Sequence, residues 1–161
     1  MLIRPLEVDD HAATTHLLTE TFRAFFEGYA RRHLGEQVYQ HQHGRWEQDY
    51  RDELPTLDAP EAGRHAAVAT LAEGTIVGLI SWKVGTKARH GEIYLLAVSP
   101  LHQRQHIGQR LCQHAIGHMR ADKVEVVQIG TGGDPFHAPA RALYERLGFT
   151  PVPVAVYLGA I

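Results

Sequence analysis

Along this chain the spacing of apolar residues changes repeatedly, and each change marks an element. Residues 2–8, "LIRPLEV", read as a short first strand, and Asp9 and Asp10 supply N-cap chemistry for a helix after it. Leu17, Leu18, Phe22, Phe25, Phe26 and Tyr29 then recur at helical spacing, with Gly28 a predicted break between two helices. Val38 to Glu53 is polar and aromatic, a further short helix or an ordered loop; residues 54–63, "LPTLDAPEAG", have loop composition. Two apolar runs, "HAAVATLA" and "TIVGLISWKV", flank Glu73 and Gly74 and predict a hairpin. "KARHGE" is a second connection.

"EIYLLAV", Glu92 to Val98, is nearly all apolar and predicts a central strand covered on both faces. After Gly108 the period returns to helical, with Leu111, Cys112, Ala115, Ile116 and Met119 on one side. "KVEVVQIG" is the next strand, "GGDPFHAP" a turn and "ARALYERLGF" a short helix. Pro139 suits its first turn and Gly148 its stop, and "PVPVAVYLGA" is expected to end the chain as a strand. The order is mixed α and β around one sheet.

Composition narrows the class. The chain has 161 residues, 44% apolar and 21% charged, which predicts one globular domain over residues 1–161. No apolar run approaches the ~20 residues that span a bilayer, and the N-terminus lacks a signal-peptide profile. The lone Cys112 fits a reducing compartment, so a cytoplasmic protein with no membrane partner is expected. A net charge of −2 argues against nucleic acid as partner. The 12 histidines include pairs at 41/43 and 114/118, but neither has metal-ligand company in sequence, so no metal is expected.

One stretch departs from this balance. Ser99 to Ala121, 23 consecutive residues, carries no Asp or Glu and spans a strand-to-helix turn. A helix N-terminus offers unpaired N–H groups and the positive end of its dipole, which together favour phosphate. Gln103 to Gly108 form that turn, Gly108 permits close backbone approach, and Arg104 and Arg110 add charge. Neither a P-loop nor a GxGxxG fingerprint is present at this turn. A plain βα connection with a basic surface explains the composition equally well.

"AVSPLHQRQHIGQRL" resembles the acetyl-CoA-binding motif of the GNAT N-acetyltransferase superfamily, an Arg/Gln-x-x-Gly-x-Gly/Ala turn. Gln103 takes its first position and Gly108 its last, while His106 stands where the family has its first glycine. "HAPARALYERLGF" is similar to the family's second motif, Asn-x-x-Ala-x-x-x-Tyr…Gly-Phe, with His137 in place of Asn. The likeness covers most of the chain and is firmest from Glu92 to Phe149.

The resemblance implies a GNAT-like fold: a mixed, mostly antiparallel sheet flanked by helices, with parallel fourth and fifth strands that splay. It implies that main-chain groups of Leu96, Ala97 and Val98 pair with the pantetheine arm of acetyl-CoA. Amides of Gln103, Arg104, Gln105, His106, Ile107, Gly108 and Gln109 would hold the pyrophosphate, and His137 would contact the cofactor arm. Tyr144 would protonate the leaving sulfur, Glu92 would accept a proton directly or through water, and the Val98 N–H would donate to the developing oxyanion.

The implied activity is direct transfer of an acetyl group to a primary amine, expected to be a small molecule. The rivals are a peptide or protein amine, a hydroxyl acceptor, and a non-catalytic acyl-CoA-binding module. Cys112, with Leu111, Ala115 and Ile116 as helical neighbours, reads as a packed thiol. Nine acids and five Lys or Arg lie between Glu20 and Glu61, either an acidic wall for a cationic amine or an ordinary solvated surface. Phe25, Phe26 and Tyr29, with Tyr39, Trp46 and Tyr50, either line an apolar or cation–π acceptor pocket or belong to the core. A homodimer is compatible with the class.

Overall fold

The computed structural model describes residues 1–85 and 89–161. Gly74, at φ 90°, closes the predicted hairpin between β2 (Arg64–Thr70) and β3 (Ile76–Val84). β1 (Leu2–Pro5) pairs antiparallel with β2, and β4 (His90–Val98) pairs antiparallel with β3. β5 (Val126–Ile129) runs parallel to β4 at the far edge, so the order is β1-β2-β3-β4-β5. Part of the second connection, residues 86–88, lies outside the described residues.

Each face of this sheet has its own apolar cluster. On one, Leu17 and Leu18 of α1 (His11–Arg23), with Leu54 and Leu57, cover Val68, Leu79 and Ala97. On the other, Ile107, Leu111, Cys112, Ala115 and Met119 of α5 (Ile107–Ala121) cover Ala67, Ile80 and Ile93. Leu111 and Met119 are 0% exposed, and full burial of such a side chain contributes about 1.5–3 kcal/mol. α5 lies so close that a Cβ on Gly91 would stand 2.3 Å from the Met119 sulfur. α6 (Ala138–Arg146) adds Leu143 and Tyr144 to the same cluster.

The connection from α1 to β2 is more helical than its sequence suggests. Residues 24–30, which carry Phe25, Phe26 and Tyr29, form a π-helical stretch that leads straight into α2 (Arg31–Leu34). Gly28 therefore does not break the helix; the break falls at Gly35, whose φ of 76° suits glycine. α3 (Glu36–His43) and α4 (Trp46–Glu53) come next, so the polar-aromatic segment is two helices. Two short 3₁₀ turns, Leu54–Thr56 and Pro60–Ala62, complete the connection.

Two further expectations are corrected. Asp10 makes no side-chain cap to α1; it takes a two-pronged bond from Arg4, 2.8 Å at Oδ1, and another from the Glu7 N–H at 2.9 Å. An ionised partner is the stronger one, and it draws the carboxylate away from the helix. The second correction concerns residues 149–161, which form no strand and leave Val152, Val154, Val156 and Tyr157 exposed. Pro151 and Pro153 have no N–H to give to a ladder. No described helix is long and apolar enough to cross a membrane.

Candidate active site

The sheet opens where β4 outruns β5. Their parallel pairing covers only His90–Ile93 against Val126–Ile129, while β4 continues to Val98. Along the other edge of β4 the Ser99 N–H donates to the Val77 carbonyl at 2.9 Å. Antiparallel pairs alternate between bonded and unbonded, so Ala97 turns its main chain to β3 while Leu96 and Val98 turn theirs away. The Val98 carbonyl indeed accepts from outside the sheet, from Gln103 Nε2 at 3.3 Å and Thr21 Oγ1 at 3.5 Å. Leu96 to Val98 thus present a strand edge beyond the end of the β5 pairing, able to pair with an extended polar arm.

Beyond this edge the chain turns into α5. Arg104 and His106 both adopt φ 60°, the left-handed region. His106 thereby takes, as a non-glycine, a backbone conformation that glycine favours, at a cost of roughly 1–2 kcal/mol. No side chain caps the helix, so its first amides, Ile107 to Gln109, stay available to an anion. The Ile107 side chain is buried in the core, so only its amide can serve a ligand. Gly108 also has a packing duty: a Cβ there would lie 3.3 Å from Leu143 and 3.7 Å from Val98. Gln103, Arg104, Gln105 and His106 are exposed around the turn.

The two titratable candidates lie on opposite faces of β4. Tyr144 packs half-buried into the α5-side cluster; burial, with the Cys112 thiol beside it, raises its pKa above the usual phenol value. It is therefore neutral, with a proton to give, across the physiological range. Cys112 is buried and its thiol is pushed up to about 12, which makes it a packing residue and no nucleophile. Glu92 sits against Lys83 of the neighbouring strand, carboxylate to ammonium 3.1 Å, and Lys83 also lies 4.8 Å from the Tyr94 ring centre.

The aromatic group divides. Tyr39 and Trp46 are buried, and both donate to Glu27 Oε1 at 3.0 Å, so they are core. Phe26 stacks on Trp46, and Tyr50 on Phe22. Phe25 instead crosses to the β5–α6 connection, with ring centres 4.8 Å from His137 and 5.5 Å from Phe136. Tyr29 stacks against Phe25 at 6.1 Å. Phe25 thus packs against the β5–α6 connection, Tyr29 against Phe25, and Phe26 against Trp46 of α4.

His137 is not alone. Its Nδ1 lies 2.7 Å from Asp134 Oδ2, and its backbone N–H donates to Asp134 Oδ1 at 3.2 Å. Arg141 donates to the carbonyls of Asp134, at 2.8 Å, and Gly132, which clamps the loop to α6. Sequence reasoning passed over Asp134, Gly132 and Arg141. The available signal was an Asp-x-x-His spacing just ahead of a helix that begins with Ala-Pro. Among the described residues no cluster of three or more metal-ligating side chains occurs; His114 and His118 stack on each other and around Trp82.

The profile of the acetyltransferase (GNAT) family matches residues 18–149. The chain belongs to the GNAT acetyltransferase family. It is similar to mycothiol acetyltransferase from Beutenbergia cavernae, 41% identical over 78 residues, which are 48% of this chain and 26% of that protein. The chain thus spans about a quarter of the length of that curated relative. Its fold is similar to the ribosomal-protein-S18-alanine N-acetyltransferase from Escherichia coli, with TM-score 0.67, 20% identity, and 94% and 79% of the two chains covered. A GNAT acetyltransferase from Brucella melitensis, solved with acetyl-CoA, superposes with TM-score 0.63 at 19% identity over 93% of this chain and 82% of that one.

The Brucella melitensis acetyltransferase is solved with acetyl-CoA, the donor that the GNAT motif implies. The residues fit that donor: uncapped amides at Ile107 to Gln109 suit a diphosphate, and the free edge of Leu96 to Val98 suits an amide-bearing arm. His106, which stands where the GNAT motif has its first glycine, has a left-handed backbone, the region that glycine favours.

Proposed function

We propose that this acetyltransferase transfers the acetyl group of acetyl-CoA directly to the primary amine of a small molecule. The observation that carries the reading is the free edge of β4 beyond the β5 pairing, followed by an uncapped helix start. An acyl thioester threaded there meets Tyr144 from one face and the Glu92 and Phe25 side from the other. In this reading Gln103 to Gln109 hold the diphosphate, Leu96 to Val98 pair with the pantetheine arm, and the Val98 N–H donates to the oxygen on which charge develops. Tyr144 supplies the proton to the departing sulfur, and its raised pKa keeps that proton in place at neutral pH.

The small-molecule acceptor draws support from the partial likeness to a mycothiol acetyltransferase. Glu92 and water are two candidates to take the amine proton, and Glu92 would do so against its Lys83 ion pair. Phe25 and Tyr29 form the acceptor wall. The test is a panel of small primary amines, hydroxyl compounds and peptides incubated with acetyl-CoA, with release of coenzyme A thiol as readout. Amines should turn over and hydroxyls should not. Tyr144→Phe should lower kcat by about 10²-fold and leave coenzyme A affinity unchanged. A chain that binds coenzyme A but acetylates nothing in the panel is instead an acyl-CoA-binding module.

A further inference from the structure

We infer that Asp134 and His137 form a proton-accepting dyad, in which His137 Nε2 takes the proton from the attacking amine. This rests on the acetyl-transfer reading above and deepens it, since neither Glu92 nor water is then the base. The tautomer of His137 is fixed by its partner. Burial pushes the Asp134 carboxyl up, but bonds from the His137 ring and backbone outweigh it and hold its pKa below the ordinary value. Asp134 is therefore ionised at neutral pH and only accepts hydrogen bonds. The 2.7 Å contact then requires a proton on His137 Nδ1, which leaves Nε2 of the neutral ring with a free lone pair. No described residue hydrogen-bonds Nε2. The carboxylate also stabilises the imidazolium that forms when Nε2 takes a proton, as in other carboxylate–histidine pairs.

The placement of the pair agrees with this role. α1 packs on one face of the sheet, and Leu143 and Tyr144 of α6 pack on the other. Phe25 lies on the stretch that continues α1 and His137 opens α6, and their rings are 4.8 Å apart. The dyad thus sits where the chain after α1 meets the β5–α6 connection, beside Phe25 and Phe136. In this proposal the acceptor amine reaches the thioester past those two rings.

The loop is also shaped around the pair. A Cβ on Gly132 would lie 2.2 Å from Asp134 Oδ2 and 2.6 Å from His137 Nδ1, so no side chain fits beside the dyad. Arg141 fixes the same loop through the Gly132 and Asp134 carbonyls, and it is the cation that faces the dyad from α6. A histidine that merely filled a cofactor contact needs neither a half-buried carboxylate on Nδ1 nor a loop with this clearance.

The step balances. The ammonium form of the acceptor gives one proton to Nε2, and the neutral amine attacks the thioester carbonyl. A C–N bond forms, the C–S bond breaks, and the sulfur takes a proton from Tyr144. The amide nitrogen's surplus proton returns to the tyrosine, and the imidazolium releases its own to solvent.

The decisive variant is His137→Asn, which places the GNAT family's residue here and keeps a hydrogen-bonding side chain for the cofactor while removing the base. The measurements are kcat/KM for the best amine of the panel from pH 5.5 to 9.5, and the calorimetric Kd of coenzyme A. We expect a loss of about 10²-fold in kcat/KM, an acidic limb that disappears, and a Kd within threefold of wild type. Asp134→Asn should lower the rate and move the limb; Gly132→Ala should reproduce the loss through crowding. Circular dichroism verifies that each variant is folded. Wild-type rates and an unchanged limb in His137→Asn overturn the dyad, as does a limb that vanishes in Glu92→Gln but persists in His137→Asn. Either result leaves the acetyl-transfer reading standing if Tyr144→Phe is slow; loss of coenzyme A binding in His137→Asn reduces His137 to a cofactor contact.

Discussion

Leu143 of α6 reaches within 3.3 Å of the position a Cβ on Gly108 would take. The helix that starts the phosphate turn and the helix that carries Tyr144 are therefore in contact at one atom's width. That is a tight approach, so Gly108→Ala requires the Leu143 side chain to give by a few tenths of an ångström. Tyr144 is next to Leu143 in the chain, so a push carried into the α6 backbone reaches it. We expect Gly108→Ala to weaken coenzyme A binding and lower kcat together, each by about tenfold, the scale of a ~1.4 kcal/mol loss. Titration calorimetry and steady-state kinetics check both; a change in only one of them breaks the coupling.

His106 holds a left-handed backbone at φ 60°. That conformation costs a non-glycine residue roughly 1–2 kcal/mol, and a glycine there returns ~0.5–1 kcal/mol in chain flexibility. His106→Gly should therefore stabilise the fold by up to about 1 kcal/mol. Coenzyme A affinity should hold, because the amides keep their directions. Urea unfolding midpoints measure the first effect and calorimetry the second.

Cys112 predicts the alkaline side of stability. Burial raises its thiol to about 12 in the folded chain, against roughly 8.5 when unfolded. The folded state thus retains a proton that the unfolded state loses. Below pH ~8.5 the thiol has no effect on stability, and above it stability falls as pH rises through the folded value. Tyr50 and Tyr144, both raised by burial, extend the decline above pH ~10. Melting curves from pH 8 to 11 should slope downward, and Cys112→Ala should flatten the first part of that slope.

Gly91 predicts the packing limit of α5. A Cβ there would meet the Met119 sulfur at 2.3 Å, and Val124 at 3.2 Å. Met119 is 0% exposed, so its flexible side chain has little free space to move into. Gly91→Ala should cost about 1–3 kcal/mol, the range for overpacking a filled core. Met119→Ala in the same background should recover part of that loss by clearing the clash, as read by a double-mutant cycle in urea.

Much of the architecture was legible in the chain. The hairpin at Gly74, the strand ending at Val98 and the helix carrying Leu111 and Met119 arise from period and turn chemistry alone, although that strand is not covered on both faces and leaves Tyr94 exposed. These signals are local: a strand alternates, a helix repeats, and a glycine turns. The strand-to-helix turn was legible for the same reason, being six residues of contiguous backbone, Gln103 to Gly108.

Other features depended on residues that only the tertiary fold brings together. Gly28 looked like a break, but the chain bends at Gly35 after a π-helical stretch whose aromatics pack against α4 and the β5–α6 connection. The last apolar run alternates like a strand, yet pairing requires a neighbour as well as a pattern. Phe25 and His137 are 112 positions apart in the sequence, and no period relates them. Their contact joins the stretch after α1 to the β5–α6 connection. Sequence by itself determined most of the elements, the family motifs and the turn into α5, since those are properties of neighbouring residues. Which acidic and aromatic side chains face the opening was decided by packing between layers, because that choice is made by distance in space.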